Sequence, residues 1–217
     1  MGFQIENGKV LHYDDPTYPG QAGATLKDVD LKTFVVLNRS WAKDSKHVWV
    51  GSRPVRGAYA PAFQALNAAF GRDNECVFDS LGRVVKDVNA AVFEVLDDGL
   101  QGRNVITCGL ESFARCEGKI YHYASWDHKT MCLRGADAAT FRALKWGYGA
   151  DARRVYSGNL LVKGARSQSF RQITPWYSTD GVGVFYFAQT VTEADPETFE
   201  PFGADFWKGG IPEPDAI

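Results

Sequence analysis

No stretch of the 217 residues approaches the ~20 consecutive apolar positions that a membrane-spanning helix requires. The opening MGFQIENGKV lacks the apolar core of an export signal, and Glu6 stands where N-myristoylation needs Ser or Thr. None of the four cysteines (Cys76, Cys108, Cys116, Cys132) belongs to a C-x-x-C pair, so no zinc-ribbon or dithiol motif is present. These absences lead us to expect a cytoplasmic protein with reduced thiols, no membrane and no cofactor. Val and Ile, not Ser or Thr, follow Gly8-Lys9 and Gly118-Lys119, so neither pair is a nucleotide-binding P-loop. GYGAD (147–151) is too short a glycine pattern for dinucleotide binding. A formal net charge of −2 argues against nucleic acid as a partner.

Aromatic residues and glycine are what the chain has in plenty: 14 Phe, 9 Tyr, 6 Trp and 22 Gly. They recur in phase. Asp44, Asp73, Asp151 and Asp180 each follow an aromatic by three residues (Trp41, Phe70, Tyr148, Tyr177). Four and five residues after each Asp come Val48-Trp49, Val77-Phe78, Val155-Tyr156 and Val184-Phe185. Nineteen or twenty after it comes Phe63, Phe93, Phe170 or Phe199. FQIENGKVLHY (3–13) and FARCEGKIYHY (113–123) match at Phe, Gly, Lys, His and Tyr, and open two longer modules ending at Phe34 and Phe141. The chain therefore reads long–short–short twice, as a tandem duplication with its seam near 100–112. We expect two pseudo-equivalent halves, 1–110 and 111–217, of three modules each.

Each module has a physical reading. Runs such as HVWVGSRPV and RVYSGNLLV place β-branched and aromatic residues around Gly or Ser, which predicts a short hairpin. The Asp accepts a backbone hydrogen bond from two residues on and fixes the turn that starts it. In ADAATFRAL, VNAAVFEVL and EADPETFEPF, Asp137, Asn89 and Asp195 lie four residues before the Phe and cap a short helical turn. Pro196 suits its first position. A hairpin plus a turn is too small to bury its own aromatics, so stacking on neighbours supplies the core. The fold class that follows is mainly β with short helical turns.

VYSGNLLVKGA (155–165) with Ser169-Phe170, and VFYFAQTVTEADPETF (184–199), resemble the DKNYY repeat family. The resemblance spans roughly 40–93 and 113–202 and is strongest in the last two modules. Tyr59 and Arg166 replace the second Asp of the pattern, and Cys116 stands where a first Asp belongs, so these modules are expected to lack a cap. The resemblance implies a bacterial protein without family catalytic residues, and some members are similar to immunity proteins encoded beside secreted antibacterial toxins.

The phased aspartates could serve as ligands or acid–base pairs, but recurrence with the backbone pattern favours turn-capping. His12 and His122 hold equivalent positions without a third ligand nearby in sequence, and His128 with Cys132 gives only two donors. Cys116 with His122 has the composition of a thiol nucleophile and its base. Charge is more informative. Arg142, Lys145, Arg153, Arg154, Lys163, Arg166 and Arg171 face one acid, Asp151, whereas Glu193, Asp195, Glu197, Glu200, Asp205, Glu213 and Asp215 face Lys208. Adjacent modules of opposite sign would make a bipolar docking surface, with Arg153, Arg154, Lys163, Arg166, Glu197, Glu200 and Asp205 as its contact residues. Trp41, Trp146 and Trp176 are expected in the core, and Phe206 as the packing cap before an extended tail. The expected function is non-enzymatic: binding a protein partner, a cognate toxin, and occluding its active site. The alternatives are a structural scaffold and a hydrolase built on His12, His122 or Cys116.

Overall fold

A computed structural model describes residues 2–13, 23–100 and 109–201. Its strands form six small sheets, and every strand-to-strand pairing within them is antiparallel. The helical elements among the described residues are two 3-10 turns, Ala60–Ala62 and Ala90–Val92. Contacts divide the chain into two compact units, Met1–Arg134 and Gly135–Ile217.

The first unit holds four sheets. β1 (Gly2–Glu6), β2 (Lys9–Tyr13) and β3 (Ala24–Thr25) form one, and β4 (Val35–Val36), β5 (Trp41–Lys43), β6 (Val48–Val50) and β7 (Arg53–Pro54) the next. β8 (Gln64–Ala65), β9 (Phe70–Arg72) and β10 (Val77–Asp79) make the third. β11 (Glu94–Val95), β12 (Glu111–Cys116), β13 (Lys119–Ala124) and β14 (Lys129–Cys132) make the fourth. The second unit holds β15 (Arg142–Ala143), β16 (Tyr148–Ala150), β17 (Val155–Ser157) and β18 (Leu160–Leu161) in one sheet. Its other sheet comprises β19 (Arg171–Gln172), β20 (Tyr177–Thr179), β21 (Val184–Tyr186) and β22 (Gln189–Thr190).

The hairpins expected after the aspartates are present at β6–β7, β17–β18 and β21–β22. A strand also precedes each Asp, so Asp44 lies between β5 and β6 and closes the turn joining two strands rather than opening the hairpin. These leading strands are three residues long, too short to show an alternating pattern. Their first residue is the phased aromatic, and Trp41, Phe70, Tyr148 and Tyr177 are all buried.

In the first unit the Phe that closes each stretch joins successive sheets. Phe63 meets Trp41 at 5.3 Å and Phe78 at 6.0 Å between ring centroids. Phe93 meets Phe70 at 5.2 Å and Tyr121 at 6.4 Å. Phe34 reaches Trp49 at 6.1 Å. In the second unit Phe141 lies 6.0 Å from Tyr156, Phe170 lies 5.6 Å from Tyr148, and Phe199 lies 5.1 Å from Tyr177. Such a pair contributes about 0.5–1.5 kcal/mol beyond the burial of its area. Each sheet is too small to bury its own face, and these rings pack with buried Val and Ala side chains to make the core.

Side chains add polar links between sheets of the first unit. Lys43 Nζ donates to the carbonyls of Ala60 (2.9 Å) and Phe63 (3.0 Å) at the end of the Ala60–Ala62 turn. Asn38 Nδ2 donates to Asn67 O at 3.0 Å, and Asn67 Nδ2 to Asp97 O at 3.0 Å. Asn38 and Asn67 also accept the backbone N–H groups that open β5 and β9.

Candidate functional site

The four phased aspartates have both carboxylate oxygens occupied by backbone. Oδ1 of Asp44 accepts from the N–H groups of Lys46 (2.7 Å) and His47 (2.6 Å), and Oδ2 from that of Asp30 (3.0 Å). Asp73 accepts from Glu75 (2.9 Å), Cys76 (2.8 Å) and Tyr59 (2.9 Å). Asp151 accepts from Arg153 (2.8 Å), Arg154 (2.7 Å) and Asp137 (3.0 Å). Asp180 accepts from Val182 (2.9 Å), Gly183 (2.9 Å) and Arg166 (2.8 Å). Burial alone would raise these carboxyl pKa values, but the backbone donors outweigh it and hold all four below the usual range. A carboxylate so engaged fastens the turn before β6, β10, β17 or β21 to the segment fourteen residues upstream.

That upstream donor is a backbone N–H, which explains why Tyr59 and Arg166 serve where other modules have Asp. Cys116 retains the contact as well: its Sγ accepts the Asn89 N–H at 3.3 Å. The expected loss of a cap is therefore partial. Asn89 and Asp137 cap as expected, accepting from Ala91 (3.0 Å) and Ala139 (3.0 Å), and Asp195 accepts from Glu197 at 3.0 Å.

Asp97 behaves differently, and no recurring pattern marks it in the sequence. It too has three donors, Gly99 N–H, Ser112 Oγ–H and Phe113 N–H, yet burial prevails and pushes its carboxyl up. Burial likewise pushes the Tyr123 phenol up to about 12, beside Ser80 Oγ at 2.6 Å.

The matched histidines differ in their partners. His122 Nε2 lies 2.8 Å from Glu111 Oε1, with both side chains almost wholly buried. His12 Nε2 lies 3.3 Å from Arg39 O. Cys116 is buried, Cys132 exposed and Cys76 half-buried, while Cys108 lies outside the described residues. Among the described residues no group of three His, Cys, Asp or Glu is placed to hold a metal ion.

The charged residues expected at a docking surface belong to the second unit. Arg153 and Arg154 stand in the turn between β16 and β17, and Lys163 and Arg166 follow β18. Arg153, Lys163 and Arg166 are exposed, as are Arg142, Lys145 and Arg171. Arg154 is half-buried, its guanidinium donating to the Gly135 carbonyl. Glu197 and Glu200 are exposed near Phe199, and Asp205 and Phe206 lie outside the described residues. Trp41 is fully buried, whereas Trp146 and Trp176 are half-buried. No helix among the described residues is long and apolar enough to cross a membrane.

The DKNYY family model matches residues 11–189. No curated protein and no solved structure matches the chain significantly.

Proposed function

The chain belongs to the DKNYY family, and from that premise we propose that it is a protein-binding module acting without a reaction of its own, as an immunity protein. Its partner is a bacterial toxin whose active site it covers, in the cytoplasm. One observation carries this reading. The buried acids of the recurring pattern are occupied by backbone N–H groups, while Arg142, Lys145, Arg153, Lys163, Arg166 and Arg171 are left exposed with one sign. A scaffold whose recurring polar residues hold turns, and whose charges stand outside, is suited to recognition by shape and charge. Glu193, Glu197 and Glu200 add an exposed acidic region after β22. The six sheets we read as six modules in two equivalent halves, supported by the like positions of Phe3 and Phe113 at the heart of β1–β2 and β12–β13.

The test is co-expression with the product of the adjacent upstream gene. Nanomolar 1:1 binding together with restored growth of cells making that product supports immunity. Absence of both binding and rescue overturns it in favour of a structural scaffold.

A further inference from the structure

A backbone N–H shortly before each closing Phe donates to an acceptor further along the chain, and this bond recurs. Asp30 donates to Asp44 (3.0 Å), Tyr59 to Asp73 (2.9 Å), Asn89 to Cys116 (3.3 Å), Asp137 to Asp151 (3.0 Å) and Arg166 to Asp180 (2.8 Å). Asp195 holds the same place before Phe199 that Asn89 holds before Phe93, but its N–H meets no acceptor among the described residues. Glu6 holds the place in FQIENGKVLHY that Cys116 holds in FARCEGKIYHY. It is exposed, its Oε1 accepts from the Tyr13 hydroxyl at 2.9 Å, and no backbone N–H among the described residues reaches its carboxylate. The series leaves a donor without its acceptor in the second unit and an acceptor without its donor in the first.

The surfaces around these two groups correspond as well. On β12–β13, Ala114, Cys116, Tyr121 and Tyr123 share one face and are buried with Phe93 and Phe70. Their counterparts on β1–β2 are Gln4 and Glu6, both exposed, and Leu11 and Tyr13, both half-buried. Phe93 touches Phe70 and Tyr121, whereas Tyr177 is the one ring stacked on Phe199 among the described residues. Charge fits too. Asp87 and Lys119 line one groove where Phe93 meets β13, and Glu193 and Lys9, both exposed, hold the corresponding places. Asp87 (φ +58°) and Glu193 (φ +65°) share the left-handed backbone. We propose that the β1–β2 face binds the Glu193–Phe199 stretch of a second copy of this chain, repeating between copies the contact that β12–β13 makes with the stretch ending at Phe93. The Asp195 N–H donates to Glu6, Phe199 covers Leu11, and Glu193 meets Lys9. Gln4 and Glu6 keep the free face polar, as the end of a repeat array requires. Leu11 cannot supply the hydrogen bond that the Tyr121 hydroxyl gives Asp87 O at 3.1 Å, so the contact between copies is weaker than the internal one and reversible. Two different surfaces meet, so association is head-to-tail and propagates. The inference needs the recurrence of the modules and no toxin.

Sedimentation velocity of the full chain, alone and at rising concentration, tests this. The sedimentation coefficient should climb with concentration. Lys9→Glu and Glu193→Lys each set like charges against one another across the contact and should weaken association about fivefold or more. An equimolar mixture of the two variants should associate like wild type, because each β1–β2 face then meets a Glu193–Phe199 stretch of opposite sign. Gln4→Ala/Leu11→Tyr gives β1–β2 the residues of β12–β13 and should associate about tenfold more tightly, through one added hydrogen bond and a larger buried ring. Circular dichroism melting shows that each variant folds. A wild-type chain that stays monomeric at every concentration overturns the proposal. Weakening by Lys9→Glu but not by Glu193→Lys does so too, since the copies would then meet face to face through β1–β2. Failure of the mixture to recover, or of Gln4→Ala/Leu11→Tyr to tighten association, also overturns it. No toxin enters the experiment, so self-association can fail while immunity stands, and failure of the neighbouring gene's product to bind leaves self-association untouched.

Discussion

Phe63 lies with its ring against the backbone of Gly71, so close that a Cβ at position 71 would stand 2.3 Å from Cζ. Gly71 is the centre of β9, and Phe63 is the ring that joins the β4–β7 sheet to the next. Gly71→Ala removes the chain-entropy cost of glycine, worth about 0.5–1 kcal/mol, but forces a buried ring out of its site. Overpacking of this kind costs about 1–3 kcal/mol, so the net effect is destabilising. Urea unfolding should show a lower midpoint for Gly71→Ala and partial recovery on adding Phe63→Leu. An unchanged midpoint for the single variant would mean that the ring shifts freely.

Asp73 supports a prediction whose sign depends on pH. Its folded pKa is lowered, because the N–H donors of Tyr59, Cys76 and Glu75 overcome the opposing effect of burial. A depressed carboxyl contributes stability that is complete above its unfolded value, about 3.9, and is lost as pH falls through the folded value. Asp44, Asp151 and Asp180 are shifted the same way. Stability should therefore fall steeply below about pH 4, each carboxylate adding at most about 1.4 kcal/mol per pH unit to the slope. Asp73→Asn places an amide donor against one of the N–H groups and should cost about 1–3 kcal/mol at pH 7. The same variant should lose less than wild type between pH 5 and pH 3, by about one proton's worth of linkage. Parallel pH profiles for the two proteins would dismiss the proposed role of the carboxylate.

Phe187 occupies a left-handed backbone position, φ +52°, where the corresponding hairpins use Gly51 (+55°) and Gly158 (+60°). Its N–H donates to Trp176 O at 2.9 Å, as that of Gly51 donates to Ser40 O at 2.7 Å. The strain costs about 1–2 kcal/mol. Against it stand the ring contacts with Trp176 (5.3 Å) and Tyr186 (4.8 Å) and the burial of a half-covered Phe. Such burial approaches 1.5–3 kcal/mol, with about 0.5–1.5 kcal/mol more for each aromatic pair. Packing wins, so Phe187→Gly should lower the thermal midpoint despite relieving the backbone. A raised midpoint would show that backbone strain outweighs the ring contacts.

The aromatic and aspartate phase was legible in the sequence because a recurring backbone geometry demands the same residue each time. Other devices were not. The leading strands β5, β9, β16 and β20 are three residues long and show no alternation. The small residue after each phased aromatic (Ala42, Gly71, Gly149, Ser178) acquires meaning only when a ring is seen against its backbone, as at Gly71. The link from Asn38 through Asn67 to Asp97 is obscured because Asp97 is separated by an insertion from the β12 residue whose N–H it accepts, Phe113. Cys116 read as a lost cap because a thiol is a weak acceptor, yet it keeps the Asn89 contact. At the surface, the sign of the charge on 142–171 was legible.

Exposed charge governs association more through rate than through lifetime, which makes salt the discriminating variable. Arg153, Lys163 and Arg166 are exposed, and the Arg166 backbone N–H is the main group that fastens Asp180, with the guanidinium charge adding a weaker attraction. Arg153→Glu/Lys163→Glu/Arg166→Glu should therefore fold with a urea midpoint close to wild type, since surface changes of this kind stay within about 0.5 kcal/mol each. If the basic face steers the approach of an acidic partner, the variant should associate about tenfold or more slowly at low salt while dissociating at a similar rate. Raising ionic strength should shrink that difference, because charges farther apart than a Debye length, about 8 Å at 0.15 M, are screened. Stopped-flow association with the neighbouring gene's product at two salt concentrations decides the matter. A variant that changes only the dissociation rate, equally at both concentrations, would place these residues in the buried contact itself and remove steering as their role.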